Sequence, residues 1–365
     1  MNQDKPVVGF IGAGGIARSH AYSLNSLRYF YSDVPGIELD AVCSASKESR
    51  ISFANRFGFF RTYDLEEFVS DKNINTVFIL SPNKVHYEHL KAVLGMPGVR
   101  RIYIEKPVCS NSKEEEQIAQ MVKSNSEIKI QVGFQFLFAA TIREMLGFWK
   151  SGKLGDPLHF DLKYYHSDYL RKDYRDKRAS RLTAAPDGGA MADLGSHSLS
   201  LLIAFLGTRM KITGALQGGS FADVREDSDL FSLISIYDET SGAVGTLSAS
   251  RISSGTGDYF SFELYAQNGA IRYSSVTPDY FEFYIEEAGM WSRHMVGSNF
   301  QPLTSFPSAH VPSGWLRSMI HAHYVFLTGN DQNEFIPDIE HGLAVQRLIR
   351  QTAEQLTIFR KTRTK

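Results

Sequence analysis

Near its start the chain reads Val7-Val8-Gly9-Phe10-Ile11-Gly12-Ala13-Gly14-Gly15-Ile16-Ala17, an apolar run, a glycine turn and the opening of a helical pattern. No other stretch constrains the fold as much. Gly12 permits a tight turn, Gly14 removes a side chain where a pyrophosphate must approach the backbone, and Ala17 lets the helix lie close to the strand. The helix opened by Gly15 and Ile16 presents free N–H groups and a partial positive charge to phosphates. Alone, the pattern Gly-x-Gly-x-x-Ala is common. Between a strand and a helix, at the head of an alternating domain, it marks these residues as candidates for holding a dinucleotide.

The alternation continues. Strands are predicted at Pro6–Ile11, Ile37–Cys43, Asn75–Leu80, Arg101–Glu105 and Ile128–Val132. Helices are predicted at Ile16–Tyr29, Lys47–Phe57, Leu65–Val69, Val85–Leu94 and Ser112–Asn125. Nearly all-apolar strands separated by helices predict a parallel sheet covered on both faces. After about Gly133 the pattern changes. Helices are expected at Thr141–Gly152 and Ala190–Leu206, a strand at Leu158–His166, then a run of strands from Lys211 to Ile285, with Asn268-Gly269 as a hairpin signal. Helices at Trp315–Leu327 and Ile339–Phe359 close the chain, and 365 residues suffice for two cores. The expectation is a doubly wound α/β domain over residues 1–132 and an α+β domain on a large, mainly antiparallel open sheet over 133–365. The stretches Ser167–Asp187 and Gly289–Ser313 read as long loops, candidates for lids or binding loops.

A formal net charge of −1 gives no field that favours nucleic acid or an anionic membrane. The N-terminus lacks the pattern of a signal peptide, and no apolar run reaches the roughly 18 residues of a membrane span. With two widely separated cysteines, Cys43 and Cys109, a reduced cytoplasmic enzyme is expected. The basic end from Arg360 to Lys365 reads as a solvated helix terminus.

Two further clusters carry chemistry. One strand ends in Glu105-Lys106-Pro107, an acid and a base at the carboxyl edge of the sheet, where open α/β folds bind ligands. Pro107 fixes the backbone there. The other is Gly188-Gly189-Ala190-Met191-Ala192-Asp193-Leu194-Gly195-Ser196-His197. Asp193 and His197, four apart, are expected on one helical face among small and apolar neighbours. A structural Asp–His hydrogen bond and a proton-transfer pair are both compatible with this spacing, and no metal site is expected. The second strand ends in Cys43-Ser44-Ala45-Ser46-Lys47 without the acid that commonly binds the adenosine ribose. Ser44 and Lys47, with Arg50 nearby, would tolerate a 2′-phosphate, which favours NADP over NAD. The aromatic and basic segment from Tyr164 to Arg175, with Arg178 and Arg181 beyond it, reads either as a solvated loop or as the contact for an anionic sugar derivative. Tyr165, Arg175 and Arg178 are the substrate candidates.

Gly12-x-Gly14-x-x-Ala17, Ser81-Pro82-Asn83-x-x-His86, Glu105-Lys106-Pro107, Gly133-Phe134-Gln135-x-x-Phe138 and Gly188-Gly189-x-x-x-Asp193-x-Gly195-x-x-His197 follow one another in order and spacing. Together they resemble the glucose–fructose oxidoreductase and myo-inositol dehydrogenase family (Gfo/Idh/MocA), over nearly the whole chain. The resemblance implies a Rossmann domain and a second domain whose open sheet supports homodimers or homotetramers. It implies an NAD(P)-dependent oxidoreductase of sugars or polyols. Lys106 would bond the reacting oxygen, His197 would exchange the proton, and Asp193 would help to position imidazole and substrate. Ser81, Asn83, His86, Glu105 and Pro107 would lie by the cofactor, and Gln135 by the substrate. This sequence has Gln135 where asparagine is frequent in the family, and Phe136-Leu137 where arginine is frequent. Two other readings stay open: a cofactor-retaining hydrolase, lyase or epimerase, and a non-catalytic NAD(P)-binding regulator.

Overall fold

Strand β1 (Val7–Ile11) is almost wholly buried, as expected of a strand covered on both faces. The computed structural model describes residues 5–183, 185, 188–219, 221–225, 227–297, 300, 303–304, 314–332 and 334–363, the last seven by backbone only. The chain divides into two compact units, residues 1–139 with 299–309 and 314–342, and residues 140–298 with 310–313 and 343–365.

In the first unit β1 is followed by α1 (Gly15–Phe30), β2 (Glu38–Cys43), α2 (Lys47–Phe57), β3 (Arg61–Tyr63), α3 (Leu65–Ser70), β4 (Thr76–Ile79), α4 (His86–Leu94), β5 (Arg101–Ile104), α5 (Ser112–Lys123) and β6 (Lys129–Val132). The six strands lie in the order β3-β2-β1-β4-β5-β6, all parallel. This is the doubly wound order with its switch point between β1 and β4. Helix ends follow local chemistry. Ser46 caps α2 by accepting the Ser49 N–H, and Gly58 ends it in the left-handed region at φ 83°. Asp64 and Glu67 form a capping box on α3. Phe10, Phe53, Phe59 and Phe78 pack as tilted rings inside the sheet–helix layer, each contributing roughly 1.5–3 kcal/mol of burial. The short strand β3 is not expected from the sequence.

The second unit contains α6 (Ala140–Lys150), β7 (Pro157–Tyr165), α7 (Lys172–Lys177), α8 (Ser196–Leu206), β8 (Met210–Gly218), β9 (Phe231–Asp238), β10 (Val244–Ser250), β11 (Tyr259–Ala266), β12 (Gly269–Ser274), β13 (Tyr280–Ile285) and β14 (Met290–Met295). They build an eight-stranded sheet in the order β14-β13-β12-β11-β7-β10-β9-β8. Every pair is antiparallel except β7–β10. One face takes Phe160, Leu162, Tyr164, Phe260 and Phe262 into the core under α6 and α8. The other is largely open and shows Tyr237 and Val244 to solvent.

Late in the chain α9 (Trp315–Thr328) packs on α1 of the first unit, and α10 (Ile339–Arg363) ends the fold. Two loop expectations are corrected. The stretch 289–313 contains β14, an edge strand whose exposed residues show no alternation; its residues 298–299, 301–302 and 305–313 lie outside the described ones. The stretch 167–187 carries α7 and two single-turn helices, Asp168–Leu170 and Ala179–Arg181; Ala184, Pro186 and Asp187 lie outside the described residues. The predicted helix at 190–206 contains a π-helical turn, Met191–Gly195, where the backbone makes room for packed side chains.

Candidate active site

The carboxyl ends of β1, β4 and β5 come side by side, because Leu80 donates to Ile11 O (2.8 Å) and Glu105 to Ile79 O (3.0 Å). Gly12 sits at φ +124°, and a Cβ on it would meet Leu80 O at 2.5 Å, so only glycine fits. A Cβ on Gly14 or Gly15 would meet nothing within 4 Å, so open space lies over the turn. Gly14 is the N-cap of α1 and supplies no side-chain bond, and the first turn holds no acid. Uncapped N–H groups, positive polarity and an open approach fit a dinucleotide's pyrophosphate. Ile16 and Ala17 complete the turn, with Ala17 fully buried.

At the end of β2 no acid stands. Ser44 O accepts from Arg50 Nη1 at 2.9 Å, while Lys47, the first residue of α2, is exposed. Asp40 is buried and ion-paired with Arg61. Burial pushes the Cys43 thiol up to about 11, against the pull of Arg50.

His86 opens α4. It is fully buried, with Nδ1 2.7 Å from Pro107 O and Nε2 2.8 Å from Ser81 O. Both ring nitrogens face backbone carbonyls, of which a neutral ring donates to one, and His86 braces two loops. Burial pushes it below the ordinary imidazole range, against the two carbonyls. Ser81 Oγ is engaged by His89 Nδ1 at 2.8 Å. Asn83 opens the short turn Asn83–Val85 that leads into α4. The Lys106–Pro107 peptide is cis. Glu105, buried, takes the Lys106 N–H on Oε2 at 3.3 Å and faces His20 Nε2 with Oε1 at 3.0 Å. A Cβ on Gly133 would meet Glu105 Oε1 at 2.5 Å, so this glycine makes room for the carboxylate. Gln135 is buried, its amide donating to Gly133 O (2.9 Å) and accepting from Trp315 Nε1 (2.6 Å). It ties the turn after β6 to the start of α9.

In the second unit Gly189 lies at φ +81°, where a Cβ would meet the Asp229 carboxylate at 2.5 Å. Asp229 Oδ2 accepts the Met191 N–H at 3.0 Å. Burial raises its pKa. The paired glycines thus let the chain turn onto a buried acid that starts the helix. Asp193 takes Arg181 Nη2 on Oδ1 at 2.8 Å and Arg251 Nη2 on Oδ2 at 2.9 Å, so its carboxylate is held between two cations. His197 is buried beside Tyr164, ring centroids 5.9 Å apart. Burial pushes the neighbouring His166 below its ordinary range.

Tyr165 and Arg175 make contacts within the second unit. Tyr165 bonds Ser248 Oγ (2.5 Å) on the open side of the sheet. The two-residue period of β7 turns Tyr164, not Tyr165, toward His197. Arg175, buried, donates to Asp223, Tyr169 O and Leu170 O and lies over Phe221 at 4.1 Å. Arg178 lies over the Tyr174 ring at 3.9 Å and is half-buried. His20, His89 and Arg251 are missed by the sequence reading. Only His20 carried a signal, three residues after Ala17 on the helix that the glycine turn opens.

Among the described residues no cluster of His, Cys, Asp or Glu is arranged to hold a metal, and no helix is long and apolar enough to cross a membrane.

A parallel Rossmann sheet with an uncapped glycine turn, followed by a large open sheet, defines a dinucleotide-binding, two-unit oxidoreductase class. Residues 7–134 match the model of an oxidoreductase family with an NAD-binding Rossmann fold, and residues 140–272 match the GFO/IDH/MocA C-terminal domain. The chain belongs to the Gfo/Idh/MocA family. It is 25% identical over 238 residues to glucose-6-phosphate 3-dehydrogenase of Bacillus subtilis, a match spanning 64% of this chain and 63% of that protein. It is 24% identical over 289 residues to levoglucosan dehydrogenase of Pseudarthrobacter phenanthrenivorans, over 73% of each. Among solved structures, a levoglucosan dehydrogenase complex with NADH and levoglucosan superposes with a TM-score of 0.86 at 19% identity, over 97% of this chain and 98% of that one.

Proposed function

We propose that the chain is an NAD(P)-dependent dehydrogenase that moves a hydride between nicotinamide and a carbinol or carbonyl carbon of a sugar or polyol. The observation that carries this reading is the glycine turn open at Gly14 on the same sheet edge as the Glu105–Lys106 turn, with β4 alone between their strands. The names of the matched relatives, which act on glucose 6-phosphate, levoglucosan and inositol, support a substrate of this class.

Gly12, Gly14, Gly15 and the first N–H groups of α1 would hold the pyrophosphate. Nicotinamide, when bound, supplies the site that takes or gives the hydride. Lys106 bonds the reacting oxygen and stabilises the alkoxide that develops as the carbinol loses its proton. His197 takes that proton in oxidation and returns it in reduction. Asp193, held between Arg181 and Arg251, positions the substrate hydroxyls and the imidazole. Ser44, Lys47 and Arg50 favour NADP over NAD, since they supply hydroxyl and cation and no acid to repel a 2′-phosphate. Arg178 and Arg181 favour a substrate with an anionic group. The open face of the eight-stranded sheet would pair copies into a homodimer or homotetramer, and two buried thiols suit a reducing cytoplasm.

The test is a fluorescence titration with NAD(H) and NADP(H), followed by turnover assays with myo-inositol, levoglucosan and glucose 6-phosphate. Lys106→Met should bind cofactor and turn over none of them. Near-normal activity in that variant defeats the role given to Lys106.

A further inference from the structure

The first unit buries a polar chain that the mechanism above leaves unused. His323 on α9 and His20 on α1 meet Nε2 to Nδ1 at 2.8 Å, and His20 Nε2 lies 3.0 Å from Glu105 Oε1. Both imidazoles are fully buried, walled by Phe78 and Tyr103. Two imidazoles and a carboxylate among aromatic rings are costly to bury, and apolar side chains of similar shape would pack there at least as well.

The proton positions follow from the partners. A carboxylate only accepts, so His20 Nε2 carries a proton and donates to Glu105. His20 Nδ1 then accepts from His323 Nε2–H. The reverse arrangement, an imidazolium at His20, would put the His323 proton on Nδ1, which has no partner among the described residues. Burial pushes His323 well below its ordinary range, in keeping with a neutral ring. Glu105 keeps one oxygen on the Lys106 N–H and lies against Gly133.

We propose that His20, backed by His323, is a positioning residue of the hydride-transfer site: it fixes the Glu105 carboxylate against the Lys106 backbone and so sets the direction of the Lys106 side chain. This rests on the role given to Lys106 above. The titratable and charged groups that face Glu105 are His20 from α1, His323 behind it from α9, Tyr103 on β5, His86 from α4 and Lys106 beside it.

Without its His20 donor, a buried carboxyl group takes up a proton at higher pH. In His20→Leu, kcat at neutral pH should fall on the order of 10- to 100-fold, with the cofactor KM changed by less than about threefold. The loss should reverse as pH rises through the new ionisation. His20→Gln, whose amide nitrogen replaces Nε2, should restore the parent pH profile. His20→Asn, which reaches only toward His323, should not. The assays use the relative's substrate that the parent turns over. Infrared difference spectra of the full chain with NADH, between mildly acidic and alkaline pH, should show a protonated carboxyl group in His20→Leu. That band should be absent from the parent and from His20→Gln, and lost on adding Glu105→Gln.

A parent-like kcat and pH profile in His20→Leu, with Lys106→Met inactive, overturns the positioning role and leaves the catalytic reading intact. An active Lys106→Met overturns the catalytic reading itself. Should His20→Leu fail to fold, matching profiles for His20→Gln and His20→Asn overturn the proposal.

Discussion

Arg251 grips Asp193 at 2.9 Å with a side chain of zero exposure, whereas Arg181, on the other carboxylate oxygen, keeps 44% of its side chain exposed. Two bonds of similar length therefore differ in energetic weight. Arg251→Met leaves a partly buried carboxylate short of its deeper partner and should destabilise the fold by about 3–5 kcal/mol. Arg181→Met should change stability by less than about 1 kcal/mol. Urea unfolding of both variants checks the contrast, and equal midpoints would contradict it.

The glycine turn gives a second contrast. Gly12→Ala forces a Cβ onto Leu80 O at a φ that alanine avoids, so its melting temperature should drop by several degrees. Gly14→Ala meets no protein atom and should melt like the parent, yet bind NADH at least about tenfold more weakly, because the methyl group fills the phosphate approach. Melting curves and fluorescence titrations separate the two effects.

Ser44→Asp should invert cofactor preference. The new carboxylate can take the ribose hydroxyls of NAD and repels a 2′-phosphate. The ratio of kcat/KM for NADP over NAD should fall by on the order of 100-fold; an unchanged ratio would place the discriminating group elsewhere.

Burial pushes His341 down to about 3 in the folded protein, against about 6.5 when unfolded. The unfolded chain therefore binds a proton that the folded chain refuses. The stability is present above about pH 6.5 and is lost as pH falls toward 3. His323, His166, His89 and His86, also lowered, act with the same sign. His341→Phe, set between Phe134 and Phe335, should flatten the acid limb of the urea midpoint against pH. An unchanged slope would assign the acid sensitivity to the other groups.

Tyr164→Phe and Tyr165→Phe test which face of β7 matters. The first should lower turnover and the second leave it near the parent value, because only Tyr164 lies beside His197. A loss confined to Tyr165→Phe would reverse the assignment.

What the sequence disclosed was local. Gly12, Gly14 and Ala17 lie within one turn, and Glu105-Lys106 follow β5, so the local form of both was legible at their own positions. Arg175 was not, since its partner Asp223 lies 48 positions away. His20 was passed over because its reason for being there, Glu105, is 85 positions distant. Tyr164 and Tyr165 are adjacent aromatics, and composition alone does not say which faces inward. Strand β14 escaped detection because Met290, Trp291, Arg293, His294 and Met295 are all exposed, which erases the two-residue period.

The parallel pairing of β7 with β10 also bears on how the second unit comes into being. β7 is translated first among its eight strands, yet it ends in the middle of the sheet, His159 beside Val244 on one side and Tyr265 on the other. Both neighbours leave the ribosome long after it. Until they arrive β7 lacks both of its sheet neighbours, so closing this sheet needs contacts distant in sequence and is slow relative to the local helices packed on its covered face.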